Sequence, residues 1–151
     1  MTKLHEVVEV DRPQAEAFEF LADFANAERW DAGTVSSART GEGGRVGVGS
    51  TFDLTVRFRG RTMPLRYRIE RYEPTHLVVL TGTGDRVEAR DEIRFEPAAR
   101  GTRITYDAEV RLTGLARLAT PLLRGSFKKL GAEAGRGIAE ALGPGSARRA
   151  G

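Results

Sequence analysis

The feature that most constrains the fold of this chain is a series of seven short runs of alternating apolar and polar residues. A long amphipathic helical pattern follows the last of them. Each run has one apolar face, which is typical of a strand that buries one side against a core. The helical pattern likewise has a single apolar stripe. A curved antiparallel sheet closing around the helix buries all of these faces, and it leaves room for a cavity between sheet and helix.

The strand-like runs are separated by turn residues, which indicates an antiparallel meander. Residues 51–59 alternate most clearly, and residues 31–33 and 82–85 are predicted as turns. Pro64 indicates a sheet edge or a bulge, because proline cannot donate a hydrogen bond to a neighbouring strand. The predicted strands cover residues 4–11, 34–40, 51–59, 61–72, 77–81, 86–96 and 102–112.

Helical patterns follow the first strand and the last. Pro13 suits the first position of a short helix, and a second short helix is predicted to end near Trp30. The long helix runs to Leu142, and Pro121 either begins it or bends it. Its apolar stripe consists of Leu115, Leu118, Leu122, Phe127, Leu130, Ala134, Ile138 and Ala141.

Glycines interrupt the long helix. Each lowers helix propensity by about 1 kcal/mol relative to alanine. They also let the helix lie close to the sheet or leave room for a ligand. These residues are Gly125, Gly131, Gly135 and Gly137.

Length and composition fit one domain. The chain has 151 residues, which we divide into a domain over 1–142 and a flexible tail over 143–151. It has no cysteine, so disulfides and thiolate zinc sites are excluded. The N-terminus turns acidic before any apolar stretch, and no apolar run is long enough to span a membrane. We therefore expect a cytoplasmic protein without stable membrane insertion.

The charge pattern favours a solvated surface over a nucleic-acid interface. Lysine and arginine number 24 against 21 aspartates and glutamates, which leaves a net charge of +3. The arginines are scattered along polar strand faces beside acidic residues, whereas nucleic-acid-binding proteins cluster them with exposed aromatics. We predict no nucleic-acid partner and expect a monomer or a homodimer.

Several segments resemble the START-like (SRPBCC) superfamily, and most closely its polyketide cyclase/dehydrase and lipid transport branch. The resemblance covers about residues 4–142. It rests on VEVDRPQAEAFEFLADFANAERWD (8–31), VGVGSTFDL (46–54), YRIERYEPTHLVVL (67–80), DEIRFEPAARGTRITYDAEV (91–110) and the terminal helix. It implies an α+β helix-grip fold, in which a curved seven-stranded antiparallel sheet surrounds a long C-terminal helix. The superfamily includes lipid carriers, aromatases and chaperone cofactors, so the fold leaves the activity open.

Asp91 departs from the strand pattern, because the alternation places its carboxyl on the inward face beside Ala89 and Ile93. A buried carboxyl must be paired, hydrogen-bonded or neutralised. Asp91 is either a polar anchor or proton acceptor in the cavity, or it turns outward at a bulge, or it bonds a backbone group or tyrosine hydroxyl near the edge. Tyr67 and Tyr106 fall on the same inward faces, where their hydroxyls orient a ligand or belong to the core.

The predicted ligand site combines apolar positions with these polar groups. Its residues are Trp30, Phe52, Leu54, Val56, Leu65, Tyr67, Ala89, Asp91, Tyr106, Leu122, Phe127 and Leu130. If the protein is an enzyme, the catalytic candidates are Asp91, Tyr106 and Tyr67. His5 and His76 lack metal-ligand spacing and no nucleophile motif is present, so we predict no metal and no cofactor.

These features favour non-covalent binding of a small hydrophobic or aromatic molecule, such as a lipid or a polyketide-like compound. The alternative, which the resemblance implies, is a cofactor-independent polyketide cyclase or dehydrase that uses polar groups of the cavity. A third hypothesis is a protein-interaction module of the chaperone-cofactor type, which a filled interior favours.

Overall fold

One antiparallel sheet forms the body of the computed structural model, which describes residues 2–41 and 43–143. The predicted tail, apart from Gly143, lies outside the described residues. The strands are β1 (Thr2–Val10), β2 (Thr34–Thr40), β3 (Thr51–Phe58), β4 (Arg61–Glu73), β5 (Leu77–Thr83), β6 (Val87–Ala98) and β7 (Gly101–Leu112). Their order is β1-β7-β6-β5-β4-β3-β2, so the predicted seven-stranded meander is confirmed.

The first strand completes the sheet from its far end. β2 to β7 follow one another as antiparallel neighbours, whereas β1 pairs with β7 and places His5 opposite Asp107. Pro64 lies opposite Thr55 on β3, beyond the part of β4 that pairs with β5. It therefore occupies a local edge, as predicted.

β5 is longer than the sequence predicts. Gly82 pairs with Tyr67 on β4 and with Ala89 on β6, so it stands in the sheet and not in a turn. The alternation signal ends early here because a glycine carries no side chain to mark either face.

Three α-helices cover the sheet: α1 (Gln14–Ala22), α2 (Ala27–Trp30) and α3 (Thr120–Leu142). A 3₁₀ turn over Phe24–Asn26 joins α1 to α2, and a 3₁₀ segment over Gly114–Ala119 leads into α3. Pro13 stands one residue before α1, where its carbonyl accepts the N–H of Ala17 at 3.0 Å. Pro121 lies in the first turn of α3, which confirms it as a helix start.

Two glycines let α3 lie against the first strand, as predicted. A Cβ on Gly131 would lie 3.1 Å from Cβ of Leu4, and one on Gly135 would lie 3.0 Å from a carboxylate oxygen of Glu6. A methyl group at either position would require its neighbour on β1 to move by a few tenths of an ångström.

A third glycine of α3 meets α2. A Cβ on Gly137 would overlap the carbonyl oxygen of Trp30, the last residue of α2. At Gly125, in contrast, an added Cβ would have no described atom within 4 Å apart from its chain neighbours and the nearby backbone of its own helix. Packing therefore requires glycine at position 137 and not at position 125.

The first part of the predicted apolar stripe faces solvent. Leu115, Leu118 and Leu122 are 87%, 73% and 82% exposed, so their prediction as part of the buried face is wrong. The 3₁₀ segment repeats every three residues and not every 3.6, which turns Ala116 and Ala119 inward instead. The buried members of the stripe are Phe127, Ala134 and Ile138.

Aromatic contacts fix α1 to the sheet. The ring of Phe18 packs edge-to-face against Tyr72 on β4 and Phe95 on β6, each with centroids 5.1 Å apart.

Among the described residues, no helix is long and apolar enough to cross a membrane.

Candidate functional site

A cavity of about 250 Å³ lies between the sheet and α3. Its walls come from inward side chains of β3, β4, β6 and β7, from α3 with its preceding 3₁₀ segment, and from the short helices after β1. The volume is slightly below the roughly 300–1,000 Å³ that ligand pockets usually occupy. A space of this size accommodates a small molecule with an apolar body.

Two arginines mark the rim of the cavity. Arg57 on β3 and Arg86, just before β6, are exposed, whereas the other described wall residues are buried or partly buried. Asp91 lies further along β6, and at about 3.3 Å per residue the strand places it roughly 16 Å from Arg86. The cavity thus has a cationic rim and a distant carboxyl.

Asp91 faces the cavity and is 4% exposed. In the described strands, β6 pairs with β5 and β7 without a register shift, so the alternative of an outward bulge is wrong. The hydroxyl of Tyr106 donates a hydrogen bond to Oδ2 of Asp91 over 2.7 Å. Tyr106, on β7, stands opposite Ile93 of β6 and is therefore diagonal to Asp91. A tyrosine at a diagonal position is long enough to reach across two antiparallel strands.

Burial raises the pKa of Asp91 from 3.8 to about 7. The charged form loses hydration in the apolar cavity; the hydrogen bond from Tyr106 opposes that effect, and the negative charge of Asp31 adds to it. A carboxyl with this pKa populates both protonation states at neutral pH. It is therefore able to exchange a proton with a ligand or to pair with a cation.

Tyr67 brings a second hydroxyl to the cavity. It is 7% exposed, and its hydroxyl has no hydrogen-bond partner within the described residues. Its ring lies across Gly82. A Cβ atom added to this glycine would lie only 2.7 Å from Cζ of the tyrosine. Burial, together with the charges of Asp91 and Asp31, raises the pKa of Tyr67 well above 10.0, so this hydroxyl stays protonated.

Asp31 is a third ionisable group on the wall, directly after α2. Its Oδ2 accepts the hydroxyl of Thr34 at 2.8 Å and its Oδ1 accepts the N–H of Gly33 at 3.0 Å, which closes an Asx turn. Burial raises the pKa of Asp31, these hydrogen bonds oppose the rise, and Glu133 adds to it. The carboxyl is thus held in a fixed orientation near Asp91.

Tyr106→Phe is expected to raise the pKa of Asp91 above about 7. The lost hydroxyl stabilises the carboxylate, so its removal leaves the effect of burial less opposed. A ¹³C NMR titration of the aspartate carboxyl carbons measures the change, with the exposed Asp53 as internal reference. An unchanged or lower pKa would show that the hydrogen bond does not favour the charged form.

All but two of the predicted ligand residues lie on the wall. Phe52 is fully buried and packs against Phe24, with centroids 6.3 Å apart, so it belongs to the core behind the wall. Leu122 faces solvent, and Leu123 lines the cavity in its place. The residues on the wall are Trp30, Leu54, Val56, Leu65, Tyr67, Ala89, Asp91, Tyr106, Phe127 and Leu130. That they contact a ligand stays a prediction.

The sequence patterns miss two residues that shape the polar end. Asp31 and Gly82 fit turn signals, yet the first acts on Asp91 and the second accommodates Tyr67. A turn signal indicates local geometry and says nothing of tertiary neighbours. A glycine directly opposite a tyrosine is a usable signal only once the strand register is known.

Neither histidine belongs to the cavity. His5 is exposed on β1, with Nδ1 2.5 Å from Oδ1 of Asp107, and His76 is exposed in the turn before β5. In the part of the chain that the structure describes, no group of three or more His, Asp or Glu residues is placed to hold a metal ion. The absence of a metal and of a cofactor stays a prediction.

The sequence model of the family described as "Polyketide cyclase / dehydrase and lipid transport" matches residues 1–143. The chain belongs to this family. The predicted polyketide cyclase/dehydrase and lipid transport branch is thereby confirmed, and the predicted helix-grip fold is shared by solved structures that include a START superfamily protein. Among curated proteins, none matches the chain in sequence.

Three solved structures illustrate the likeness of fold. The Zhui aromatase/cyclase from Streptomyces sp. R1128 is 18% identical with a TM-score of 0.70, and 92% of each chain is covered. A START superfamily protein from Mycobacterium smegmatis is 16% identical with a TM-score of 0.71 and 94% coverage of each chain. A protein from Thermus thermophilus is 13% identical with a TM-score of 0.77, covering 93% of this chain and 96% of that one. At these identities the likeness shows the fold alone.

Proposed function

We propose that the protein binds a small hydrophobic or aromatic molecule, of a lipid or polyketide-like kind, in the cavity between the sheet and α3. The observation that carries this proposal is the mostly apolar space of about 250 Å³ inside an otherwise packed core. Apolar ligand surface buried there contributes about 25 cal/mol per Å² before the cost of ordering is subtracted. Asp91, Tyr67 and Tyr106 supply the polar contacts that orient the ligand.

An unfilled interior favours this function over an interaction module of the chaperone-cofactor type. Cytoplasmic localisation, a monomeric or homodimeric state and the lack of a nucleic-acid partner stay predictions from the sequence.

Ala89→Phe is expected to weaken binding of 4-phenyl-1-butanol, a neutral probe with an apolar body, by at least about tenfold. Ala89 lies partly buried on the cavity wall in β6, so a phenyl group there occupies the space that the probe needs. The thermal unfolding midpoint should stay unchanged or rise, because the added ring is buried. Isothermal titration calorimetry and thermal denaturation measure the two effects.

Ala15→Phe is the matched control, since it adds the same ring on the exposed face of α1. It should leave the affinity for the probe unchanged. The proposed site is overturned if the parent protein does not bind the probe, or if Ala89→Phe binds it equally well.

A second function, that of a cofactor-independent polyketide cyclase or dehydrase, is favoured by the pKa of about 7 at Asp91. A carboxylate with this pKa is a suitable proton acceptor at neutral pH. In this role Asp91 removes a proton from a carbon beside a substrate carbonyl, whose oxygen accepts a hydrogen bond from the hydroxyl of Tyr67. The family description includes such chemistry.

Native mass spectrometry of protein purified from its own host separates the two functions. A co-purified molecule that stays unchanged on incubation favours a carrier, and its conversion to a cyclised or dehydrated product favours an enzyme. Conversion that persists in Asp91→Asn would exclude Asp91 as the proton acceptor.

A further inference from the structure

The inner end of the cavity combines a buried carboxyl with aromatic rings. We propose that the ligand carries a protonated amine on its apolar body, and that the ammonium group is bound by Asp91 and Tyr67 among these rings. This inference rests on the proposed function and narrows it, because it names the ligand class as hydrophobic or aromatic amines.

Two acceptors at this end are free to bind a donor. Oδ2 of Asp91 receives the hydroxyl of Tyr106 over 2.7 Å, and within the described residues this carboxyl has no other hydrogen bond. The hydroxyl oxygen of Tyr67 also has no partner in the described part of the chain. An ammonium group has donors and no acceptor, so it matches Oδ1 of Asp91 and the oxygen of Tyr67.

Four aromatic rings of the cavity wall lie in edge-to-face contact beside these acceptors. The centroid of Phe24 is 5.1 Å from that of Tyr67 and 5.9 Å from that of Trp30, and Trp30 is 5.9 Å from Tyr106. Aromatic ring faces attract ammonium ions, most strongly where water is excluded. A neutral alcohol lacks this attraction, so the cluster favours an amine.

Of the ionisable groups that interact with Asp91, Asp31 adds negative charge, the two tyrosines stay protonated and neutral, and none is a cation. Tyr106 on β7, Tyr67 on β4 and Asp31 after α2 interact electrostatically with Asp91. Glu133 on α3 acts on Asp31. The potential at the inner end therefore favours a cationic ligand group over an anionic one.

The rim arginines do not cancel this potential. Arg57 and Arg86 are exposed to solvent, and strand geometry separates Arg86 from Asp91 by about 16 Å. Charges in water are screened within about 8 Å at physiological salt. The cationic rim and the anionic inner end thus act on different parts of a ligand.

Three probes with one phenylbutyl body test the inference. 4-Phenylbutylamine, 4-phenyl-1-butanol and 4-phenylbutyrate are titrated calorimetrically into the full chain at pH 8. The amine should bind about tenfold more tightly than the alcohol, because hydrogen bonds between charged groups are stronger than neutral ones. The carboxylate should bind most weakly, because Asp91 repels it.

Asp91→Asn tests the assigned carboxyl. It should reduce the affinity for the amine by about tenfold and that for the alcohol by clearly less, because an amide oxygen still accepts a hydrogen bond from a hydroxyl but carries no charge to pair with an ammonium group. Asp53→Asn is the control, since it removes an exposed carboxylate that pairs with Arg66 outside the cavity, and it should change neither affinity.

The affinity of the parent protein for the amine should also depend on pH. It should fall about tenfold from pH 8 to pH 6, because Asp91, with a pKa of about 7, takes up a proton and loses its charge. The Asp91→Asn variant should lack this pH dependence.

The outcomes separate this inference from the proposed function. Amine selectivity that depends on Asp91 and on pH supports it. Equal or tighter binding of the alcohol or the carboxylate overturns it and leaves the ligand site in place, as does amine selectivity that survives in Asp91→Asn. Absence of binding by all three probes overturns both.

Discussion

Gly137→Ala should lower the free energy of unfolding by about 3 kcal/mol, because its new methyl group would occupy the position of the Trp30 carbonyl oxygen. That oxygen is a backbone atom and cannot rotate away, so α3 or α2 must move. Overpacking of this kind typically costs roughly 1–3 kcal/mol and occasionally more. Urea denaturation followed by circular dichroism measures the change.

Gly125→Ala is the matched control in the same helix. Beyond its own stretch of helix, no atom of the described residues lies within 4 Å of where its Cβ would be, so helix propensity alone should act and raise stability by up to about 1 kcal/mol. The same change from glycine to alanine would then lower the free energy of unfolding at position 137 and raise it at position 125. A Gly137→Ala protein as stable as the Gly125→Ala protein would contradict the close approach of α3 to α2.

Asp91→Asn should stabilise the protein by on the order of 4 kcal/mol at pH 8 and leave its stability nearly unchanged at pH 4. The pKa of Asp91 is 3.8 in an unfolded chain and about 7 in the folded protein. Between these values the unfolded chain is ionised while the folded protein keeps its proton. The parent protein therefore loses stability as pH rises from about 4 to 7, with no further loss above that range. A difference of one in pKa corresponds to about 1.4 kcal/mol, which sets the expected size.

Urea denaturation at pH 4, 6 and 8 tests this dependence, with Asp53→Asn for comparison. A hydrogen bond from Arg66 lowers the pKa of the exposed Asp53. Ionisation of Asp53 therefore favours the folded state. Its replacement by asparagine should lower the stability at pH 8, whereas Asp91→Asn should raise it. If Asp91→Asn raised the free energy of unfolding equally at all three pH values, ionisation of Asp91 would be excluded as the cause.

The strands are predictable because each carries its own periodic signal. Residues 51–59 alternate over their whole length, and β3 spans Thr51–Phe58 as a result. The beginning of the last helix is less predictable, since Leu115 and Leu118 fit a repeat of three as well as one of 3.6. Which repeat applies depends on how the 3₁₀ segment packs over the cavity.

The candidate site is predictable only in part. Asp91 is identifiable because a carboxyl on an apolar strand face breaks the pattern. The neighbours that set its pKa are not, because Asp31 and Tyr106 reach it only through the tertiary fold. The role of the glycines in α3 is predictable in part. The sequence suggests that they allow close packing, and the structure identifies which of them have a close neighbour.

The pairing of β1 with β7 also governs when the protein can fold. His5 and Asp107, which face each other across these strands, are 102 residues apart in sequence. On the ribosome, β2 to β6 can associate as they emerge, whereas β1 can pair only after β7 has been synthesised. Closing so long a loop is entropically costly and slows folding. The cavity, whose wall includes Leu4 and residues of β7 and α3, therefore forms only after those later elements have been synthesised.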